Sequence, residues 1–455
     1  MLWESLVRLL KRNPLYVFLI LSWWSRGRAV LKAEVASRAS LDVATLPFNQ
    51  PLIDFLRIEK SAGRRLILAT ASDCQLARQI ANHLELFDEV LASDGRTNLR
   101  GKNKVALLVE RFGRGGFDYA GNSSVDLPVW EQARHAMVVS PSPGLAARAR
   151  QRTPVTQTFA SRNPLAQSIA RALRPHQWVK NLIIFVPLLT AHELSNWPKL
   201  RNGILAFVAF SLAASAVYIL NDLMDIEADR HHATKCHRPF ASGDLPLPFG
   251  LAASPLLFAA SAVLAWQLPW GFAVVLGTYV LLTSSYSLRL KEVPLLDVFC
   301  LAALYTVRLI AGHEAAIIDY SFWLLVFSMF IFLSLALLKR FTELFAARKQ
   351  SKSEIKGRGY ATSDLELVAT LGTGSGYLAV LVMALYVHSP EGSAHYNRPM
   401  VLLLICPLLL FWISRVWMLA HRGQMHNDPI IFALKDRASY VVGALTLLVL
   451  WLAAG

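Results

Sequence analysis

The chain has 455 residues, of which 54 % are hydrophobic and only 17 % charged, and it carries a formal net charge of +15. Its mean hydropathy is +0.40. That balance excludes an ordinary soluble enzyme and points to a multispan membrane protein. The scattered cysteines, Cys74, Cys236, Cys300 and Cys406, contain no CxxC and no metal-ligand spacing. They exclude both a disulfide framework and a zinc site.

Near the start, "LYVFLILSWW" (residues 15–24) is too short to span a bilayer and lacks a small-residue cleavage site, so it reads as a buried or interfacial helix rather than a signal peptide. Up to about residue 145, short aliphatic runs such as "RRLILATAS" and "FDYAGNSS" alternate with helical patterns such as "CQLARQIANHLELF". The alternation predicts an α/β domain with a parallel sheet. Residues 146–165, basic and rich in Pro, Ser and Thr, read as a linker. Residues 166–455 then read as membrane.

Nine apolar stretches follow, near residues 176–194, 204–220, 247–266, 270–286, 294–312, 320–338, 365–388, 399–418 and 438–454. Most are long enough to cross a hydrocarbon core of roughly 30 Å. One set of loops carries Arg230, Lys235, Arg238, Arg289, Lys291, a run from Lys339 to Arg358, then Arg422, Lys435 and Arg437. The opposite set carries only Lys199, Arg201 and Arg398. The positive-inside rule makes the rich side cytoplasmic, with the N-terminal domain inside and the C-terminus outside a plasma-membrane-type bilayer. The positive charge is thus largely topological and calls for no nucleic-acid partner.

The stretch "NDLMDIEADRHHATKCHRPFASGDL" (residues 221–245) ends the second of these spans. Asp222, Asp225 and Asp229 stand at i, i+3 and i+7, a spacing that puts all three on one helical face. Carboxylates so placed repel unless a cation sits among them, and Mg²⁺ prefers such hard oxygen ligands, often shared with substrate phosphates. Lys235 and Arg238 suit the phosphates themselves. The bland alternative is a solvated loop whose charges pair with one another. His231 and His232 read equally well as structural or catalytic.

"NDLMDIEADR" resembles the first Asp-rich motif, NDxxDxxxD, of the UbiA superfamily of membrane prenyltransferases, with Asn221, Asp222, Asp225 and Asp229 at the motif positions. The resemblance implies an all-α bundle of nine transmembrane helices holding a Mg²⁺-bound diphosphate at its cytoplasmic mouth. "DRHHATKCHRPFASG", "RPHQWVKN" (174–181), "YSLRLKEVPLLDV" (286–298) and "NDPIIFALKDR" (427–437) are similar to the decaprenyl-phosphate phosphoribosyltransferase subgroup. This implies transfer of 5-phosphoribose from phosphoribosyl pyrophosphate to a polyprenyl phosphate, with release of pyrophosphate. The alternative within the fold is an isoprenoid transfer from its diphosphate to an aromatic or other acceptor. A transporter is the reading from another class, and the spans lack the Gly/Pro-broken helices in matching halves that many transporters show.

Where aromatic prenyltransferases of this superfamily carry a second motif of paired aspartates, this chain offers Asp297 alone, with Tyr286, Arg289 and Lys291. Cation in place of carboxylate fits a substrate pair with extra phosphates. Lys180, Asn181, Tyr286, Lys291 and Asp297 are the expected substrate-binding residues beside Asn221, Lys235 and Arg238. Arg174 has a weaker claim. Arg308, inside the fifth stretch, is costly in a membrane and calls for a polar partner or a substrate phosphate. "KGRGY" (356–360) reads as a lid over the donor or a plain connection.

Residues 1–145 resemble the haloacid-dehalogenase (HAD) phosphatase superfamily. "LILATAS" looks like its second motif, with Thr70 as the phosphate-holding residue; "GKNK" its third, with Lys104; and "YAGNSSVDL" its fourth, with Asn122 in place of the first acid and Asp126 retained. No nucleophile motif DxDGT precedes them, for the chain opens with "MLWESLVRLLKRNPLY", similar to the segment just downstream of that motif in the family. The expectation is a degenerate domain, or a start placed too late, and no phosphatase activity in this chain.

Overall fold

The computed structural model describes residues 2–454 apart from 14, 39–41, 95–96, 140–142, 160–162, 356, 391–395, 426–428 and 434. Lys356 of "KGRGY", and Asn427 and Asp428 of "NDPIIFALKDR", therefore lie outside the described residues. The chain divides into two compact units: Met1–Arg174 with Tyr218–Pro255, and Pro175–Val217 with Leu256–Gly455.

The first unit opens with α1 (Leu2–Arg12), α2 (Tyr16–Ser25) and α3 (Arg28–Arg38). It continues through α4 (Gln50–Ser61), β1 (Ile67–Asp73), α5 (Cys74–Leu84), β2 (Glu89–Ser93), α6 (Lys102–Phe112), β3 (Asp118–Gly121), α7 (Leu127–Trp130), β4 (His135–Val139), α8 (Pro143–Arg150), β5 (Val155–Phe159) and α9 (Leu165–Leu173). β1 pairs parallel with β2, and β3, β4 and β5 form a separate parallel sheet in that order. The α/β expectation is met at the level of parallel strands alternating with helices. The linker expectation is corrected: residues 146–159 hold the end of α8 and the edge strand β5. "VTQTF" has the β-branched alternation of a strand, which its basic flanks disguise. Trp130 is fully buried beneath the second sheet, among Val129, Ala136 and Val138, and its indole N–H donates to the Tyr119 carbonyl at 3.0 Å. Truncating so large a core side chain costs about 3–5 kcal/mol.

Membrane helices make up most of the remainder. A 3₁₀ segment, Pro175–Phe185, leads to α10 (Val186–Thr190), then α11 (Trp197–Met224), α12 (Ile226–Arg230), α13 (Leu247–Ala265), α14 (Trp270–Leu288), α15 (Leu296–Ala316), α16 (Phe322–Lys349), α17 (Leu365–Val387), α18 (Ile405–His421), α19 (Pro429–Ala433) and α20 (Arg437–Ala454). Among the described residues, eight helices are long and apolar enough to cross a membrane, not the nine expected. The difference is the first stretch, where an α-helix forms only after Phe185, with Pro187 in its first turn. Proline lacks the N–H that a longer α-helix would need there.

In the second unit α16 packs on α17 and α18 around Leu337, Leu338, Phe341 and Trp417. Helices approach closely here because Gly372 has no side chain: a Cβ would stand 2.2 Å from Trp417 Cζ2. Ser334 uses the approach, donating from Oγ to the Gly372 carbonyl at 2.6 Å. Small residues and interhelical hydrogen bonds are the usual means of association where lipid removes the hydrophobic drive.

Candidate active site

α11 stops at Met224, and α12 restarts at Ile226 after a break at Asp225 (φ −103°, ψ 11°). The helical hydrogen bonds nearly persist, for Asp225 N donates to the Asn221 carbonyl at 2.9 Å and Asp229 N to the Asp225 carbonyl at 2.8 Å. Asp222 and Asp229 are both buried. Asp225 is not, and it turns to a different partner: Lys11 Nζ lies 3.4 Å from its Oδ1. Among the described residues no group of three acidic, His or Cys side chains stands close enough to hold a metal ion. The single face read from the spacing therefore divides into a buried pair and an exposed third.

The buried pair is organised by arginines. Arg238 Nη1 donates to Asp222 Oδ1 at 3.1 Å and to Asp229 Oδ2 at 2.7 Å, while Arg174 Nη2 donates to Asp222 Oδ1 at 2.5 Å. Arg174 caps α9 in the left-handed region (φ 53°, ψ 54°), with its guanidinium 5.0 Å over the Tyr218 ring. A non-glycine residue there costs roughly 1–2 kcal/mol, and the ion pair and ring contact hold it in place. Among the described residues, Asp222 Oδ2 is buried without a hydrogen-bond partner. An unsatisfied buried carboxylate oxygen is expensive, and it is the acceptor a hard cation needs. Asn221 is half-buried in the last turn of α11, and Lys235 is exposed in the 3₁₀ turn Lys235–His237.

The second unit holds the other expected residues in three groups. Asn181 is buried, donating from Nδ2 to Ser211 Oγ at 3.0 Å and accepting at Oδ1 from Arg308 Nε at 2.8 Å. Arg308 also donates to the Leu304 carbonyl and to Tyr279 OH, the latter at 3.2 Å. Its partners are all neutral. Lys180 Nζ and the Arg308 guanidinium lie over the same ring, that of Tyr305, at 5.9 and 5.5 Å.

Asp297 is fully enclosed at the start of α15, paired with the equally buried Arg340 and accepting from Tyr360 OH at 2.6 Å. Burial, with the hydrogen bond to Asp297, pushes the Tyr360 hydroxyl above the phenol range. Tyr286 accepts from Arg358 Nη1 at 2.7 Å. Lys291 is half-buried in the 3₁₀ turn Leu290–Glu292, with no side-chain partner among the described residues. Arg340 and Lys11 went unseen in the sequence. Arg340 looks like one of many loop-side cations, and Lys11 belongs to a segment far from the motif it touches.

Thr70, Lys104, Asn122 and Asp126 line one cavity of 490 Å³ at the carboxyl ends of β1 and β3. Lys104 Nζ donates to Tyr119 OH at 2.8 Å, and Tyr119 OH donates to Asp126 Oδ1 at 3.1 Å. Burial lowers the Lys104 pKa, with Asp126 opposing it. Asp126 Oδ2 accepts from the backbone N–H groups of Asn122 and Ser123, at 3.2 and 3.1 Å. Oδ2 is thus occupied in shaping the turn, while Oδ1 faces Tyr119 and Lys104.

Residues 182–434 match the model of the UbiA prenyltransferase family. The chain is 36 % identical to the uncharacterized protein y4nM of Sinorhizobium fredii over 97 % of its own length and 86 % of that protein's. It is 38 % identical to the nodulation protein NoeC of Azorhizobium caulinodans, covering 59 % of this chain and 88 % of NoeC. The decaprenyl-phosphate phosphoribosyltransferase of Mycobacterium tuberculosis is 31 % identical over 62 % of this chain and 92 % of its own.

Proposed function

Because this chain belongs to the UbiA prenyltransferase family, we propose that it is a membrane transferase moving 5-phosphoribose from phosphoribosyl pyrophosphate to a polyprenyl phosphate. The observation that carries the diphosphate half of this reading is the buried Asp222–Asp229 pair bridged by Arg238, with Arg174 behind it and Asp222 Oδ2 unsatisfied. Such a set suits a divalent cation and a polyanion together. The phosphoribosyl half is supported by Asp297. The only aspartate of its loop is engaged by Arg340 and Tyr360, and the same loop carries the cations Arg289 and Lys291 beside Glu292. The name of the mycobacterial relative supports transfer of a phosphoribosyl group to a polyprenyl phosphate.

Asp222 and Asp229 would hold Mg²⁺, with Asp225 joining them only on leaving Lys11, and the ion would draw charge from the departing pyrophosphate. The chain's residues do the rest. Arg174 and Arg238, which hold these carboxylates, would face the diphosphate oxygens if the carboxylates took a cation. Lys235 and Asn221 border the same end of α11. The ribose C1–O bond breaks with its electron pair leaving on pyrophosphate, and a lipid phosphate oxygen forms the new bond to C1. That oxygen is already ionised at neutral pH, so no general base is needed. Lys180 and Lys291 are assigned to the remaining phosphates. Asp297 takes a positioning role, fixing Arg340 and Tyr360.

The motif end of α11 is placed on the cytoplasmic side and the C-terminus outside, in a plasma-membrane-type bilayer. Residues 175–190 supply the ninth crossing, since at the rise of 3₁₀ and α helices they extend about 30 Å when collinear. The domain over residues 1–145 is read as HAD-like and degenerate, without phosphatase activity, because Asn122 replaces an acid and Asp126 is engaged by Tyr119 and by two backbone N–H groups.

The test is transfer itself. Purified protein in lipid, Mg²⁺, labelled phosphoribosyl pyrophosphate and polyprenyl phosphate are combined, and label entering the organic phase is counted, with Asp225→Ala as control. Mg²⁺-dependent transfer lost in the variant supports the reading. Activity only with a prenyl diphosphate and an aromatic acceptor overturns it.

A further inference from the structure

α2 is a ten-residue helix, YVFLILSWWS, without a charged side chain. Part of it is spent on a small core, where Trp23 is buried among Leu6, Leu9, Leu31 and Val35. The rest is bare. Phe18 is 68 % exposed, Leu21 and Trp24 are each 57 % exposed, and Leu15 and Leu19 are exposed beside them. So many large apolar side chains on two to three helical turns mark a docking surface rather than ordinary protein exterior.

The neighbouring helix fixes where this surface stands. Lys11 Nζ donates to the Met224 carbonyl at 2.8 Å, Arg8 Nη2 donates to Glu227 Oε1 at 3.1 Å, and Arg230 pairs with Glu4. Met224 is the last residue of a membrane-crossing helix. α1 is therefore pinned to the end of a helix long and apolar enough to cross a membrane, and α2 begins four residues beyond the end of α1. Exposed Arg26 closes the other end of α2. At ten residues the helix is about 15 Å long, half of a hydrocarbon core, so it lies along a bilayer and does not cross one.

We propose that α2 is an interfacial membrane anchor, with Phe18, Leu21 and Trp24 set among the acyl chains and Arg26 at the headgroups, holding the N-terminal domain against the membrane beside the Asp-rich motif. The arrangement is that of a short apolar segment lying in the interface, with the cation at its end in the headgroup layer. A second copy of the chain fits the surface less well. One face of a ten-residue helix falls far short of the ~800 Å² per partner that a stable protein interface buries.

Spin labels test this on the full-length chain in nanodiscs containing anionic lipid. A label is placed by Phe18→Cys, or in a second variant by Leu21→Cys, after the four native cysteines are replaced; Ile58→Cys, at an exposed site on α4, is the reference. The expected result is an accessibility ratio of oxygen to a water-soluble nickel chelate several-fold higher at 18 and 21 than at 58. A ratio equal to that at 58 overturns the proposal. So does exclusion of both reagents with dipolar broadening between labels, which would make the occupant a second copy. Should the cysteine-free background not fold, hydroxyl-radical footprinting of the unaltered chain in nanodiscs decides: Phe18 and Trp24 protected while Ile58 is oxidised supports the anchor, and oxidation of all three refutes it.

Discussion

Arg238 joins Asp222 to Asp229: its Nη1 lies 3.1 Å from Asp222 Oδ1 and 2.7 Å from Asp229 Oδ2. One guanidinium nitrogen thus holds together two buried carboxylates seven residues apart. If both carboxylates take Mg²⁺ and the arginine takes the leaving diphosphate, Arg238→Ala removes a charge-stabilising donor from the transition state. The expected loss in transfer rate is about 10²-fold, with the donor KM raised. Arg238→Lys keeps the charge but not the two-way geometry and recovers only part of the rate. Initial rates against phosphoribosyl pyrophosphate concentration are the measurement.

Lys11 competes for the third carboxylate. Its Nζ stands 3.4 Å from Asp225 Oδ1, and both side chains are about half exposed, so the pair is weak. Removing it by Lys11→Ala leaves Asp225 free for a metal. The Mg²⁺ concentration giving half-maximal transfer is expected to fall about twofold to fivefold, as befits a contact of less than about 1 kcal/mol. An unchanged or higher Mg²⁺ requirement would show that Lys11 does not oppose the metal.

The Asp297–Arg340 pair makes the opposite prediction, because it is closed to solvent at both ends. Asp297→Asn leaves the buried Arg340 guanidinium, whose Nε lacks a partner among the described residues, to Glu343 alone. The expected cost is about 3–5 kcal/mol, read as a lower unfolding temperature in detergent. The triple variant Asp297→Leu/Arg340→Met/Glu343→Gln removes the pair and the second carboxylate that Arg340 holds, and is expected to recover most of that loss. Equal instability of the single and triple variants would count against the pairing.

Asp118 gives the N-terminal domain a pH dependence. Burial alone would raise its pKa, but Arg134, Arg64 and His135 donate to it and hold it well below the usual carboxylate range. A folded-state pKa below the unfolded one means the stabilisation is complete above the ordinary carboxylate pKa. It is lost as pH falls from there through the depressed value. Amide protection in β3 and β4 is therefore expected to drop below about pH 4. Asp118→Asn should cost on the order of 1–2 kcal/mol at pH 7, and its deficit relative to the unaltered chain should shrink on acidification. Hydrogen exchange of the peptides covering residues 117–139 reads both effects.

Much of this molecule is local chemistry, and local chemistry is legible. Eight apolar segments became long helices because length and hydropathy alone decide whether a segment can satisfy its backbone inside a bilayer. The alternation before residue 145 became parallel strands and helices for an equally local reason. The Asp-rich motif was visible because its spacing is a property of one helix end. Where local signals conflict, the reading failed. "VTQTF" was hidden by basic flanks and Pro175–Phe185 by its apolar composition, although the first is a strand and the second a 3₁₀ segment.

What only the tertiary structure decided is which charge answers which. The spacing put Asp222, Asp225 and Asp229 on one face, yet folding gives two of them to Arg238 and the third to Lys11. Asp297 was expected to meet substrate, and a cation on another helix encloses it instead. Lys11 and Asp225 are 214 residues apart, and Asp297 and Arg340 are 43 apart. No periodicity spans such distances. A buried charge takes whichever opposite charge packing brings within about 3 Å, because the cost of leaving it unpaired exceeds any local preference.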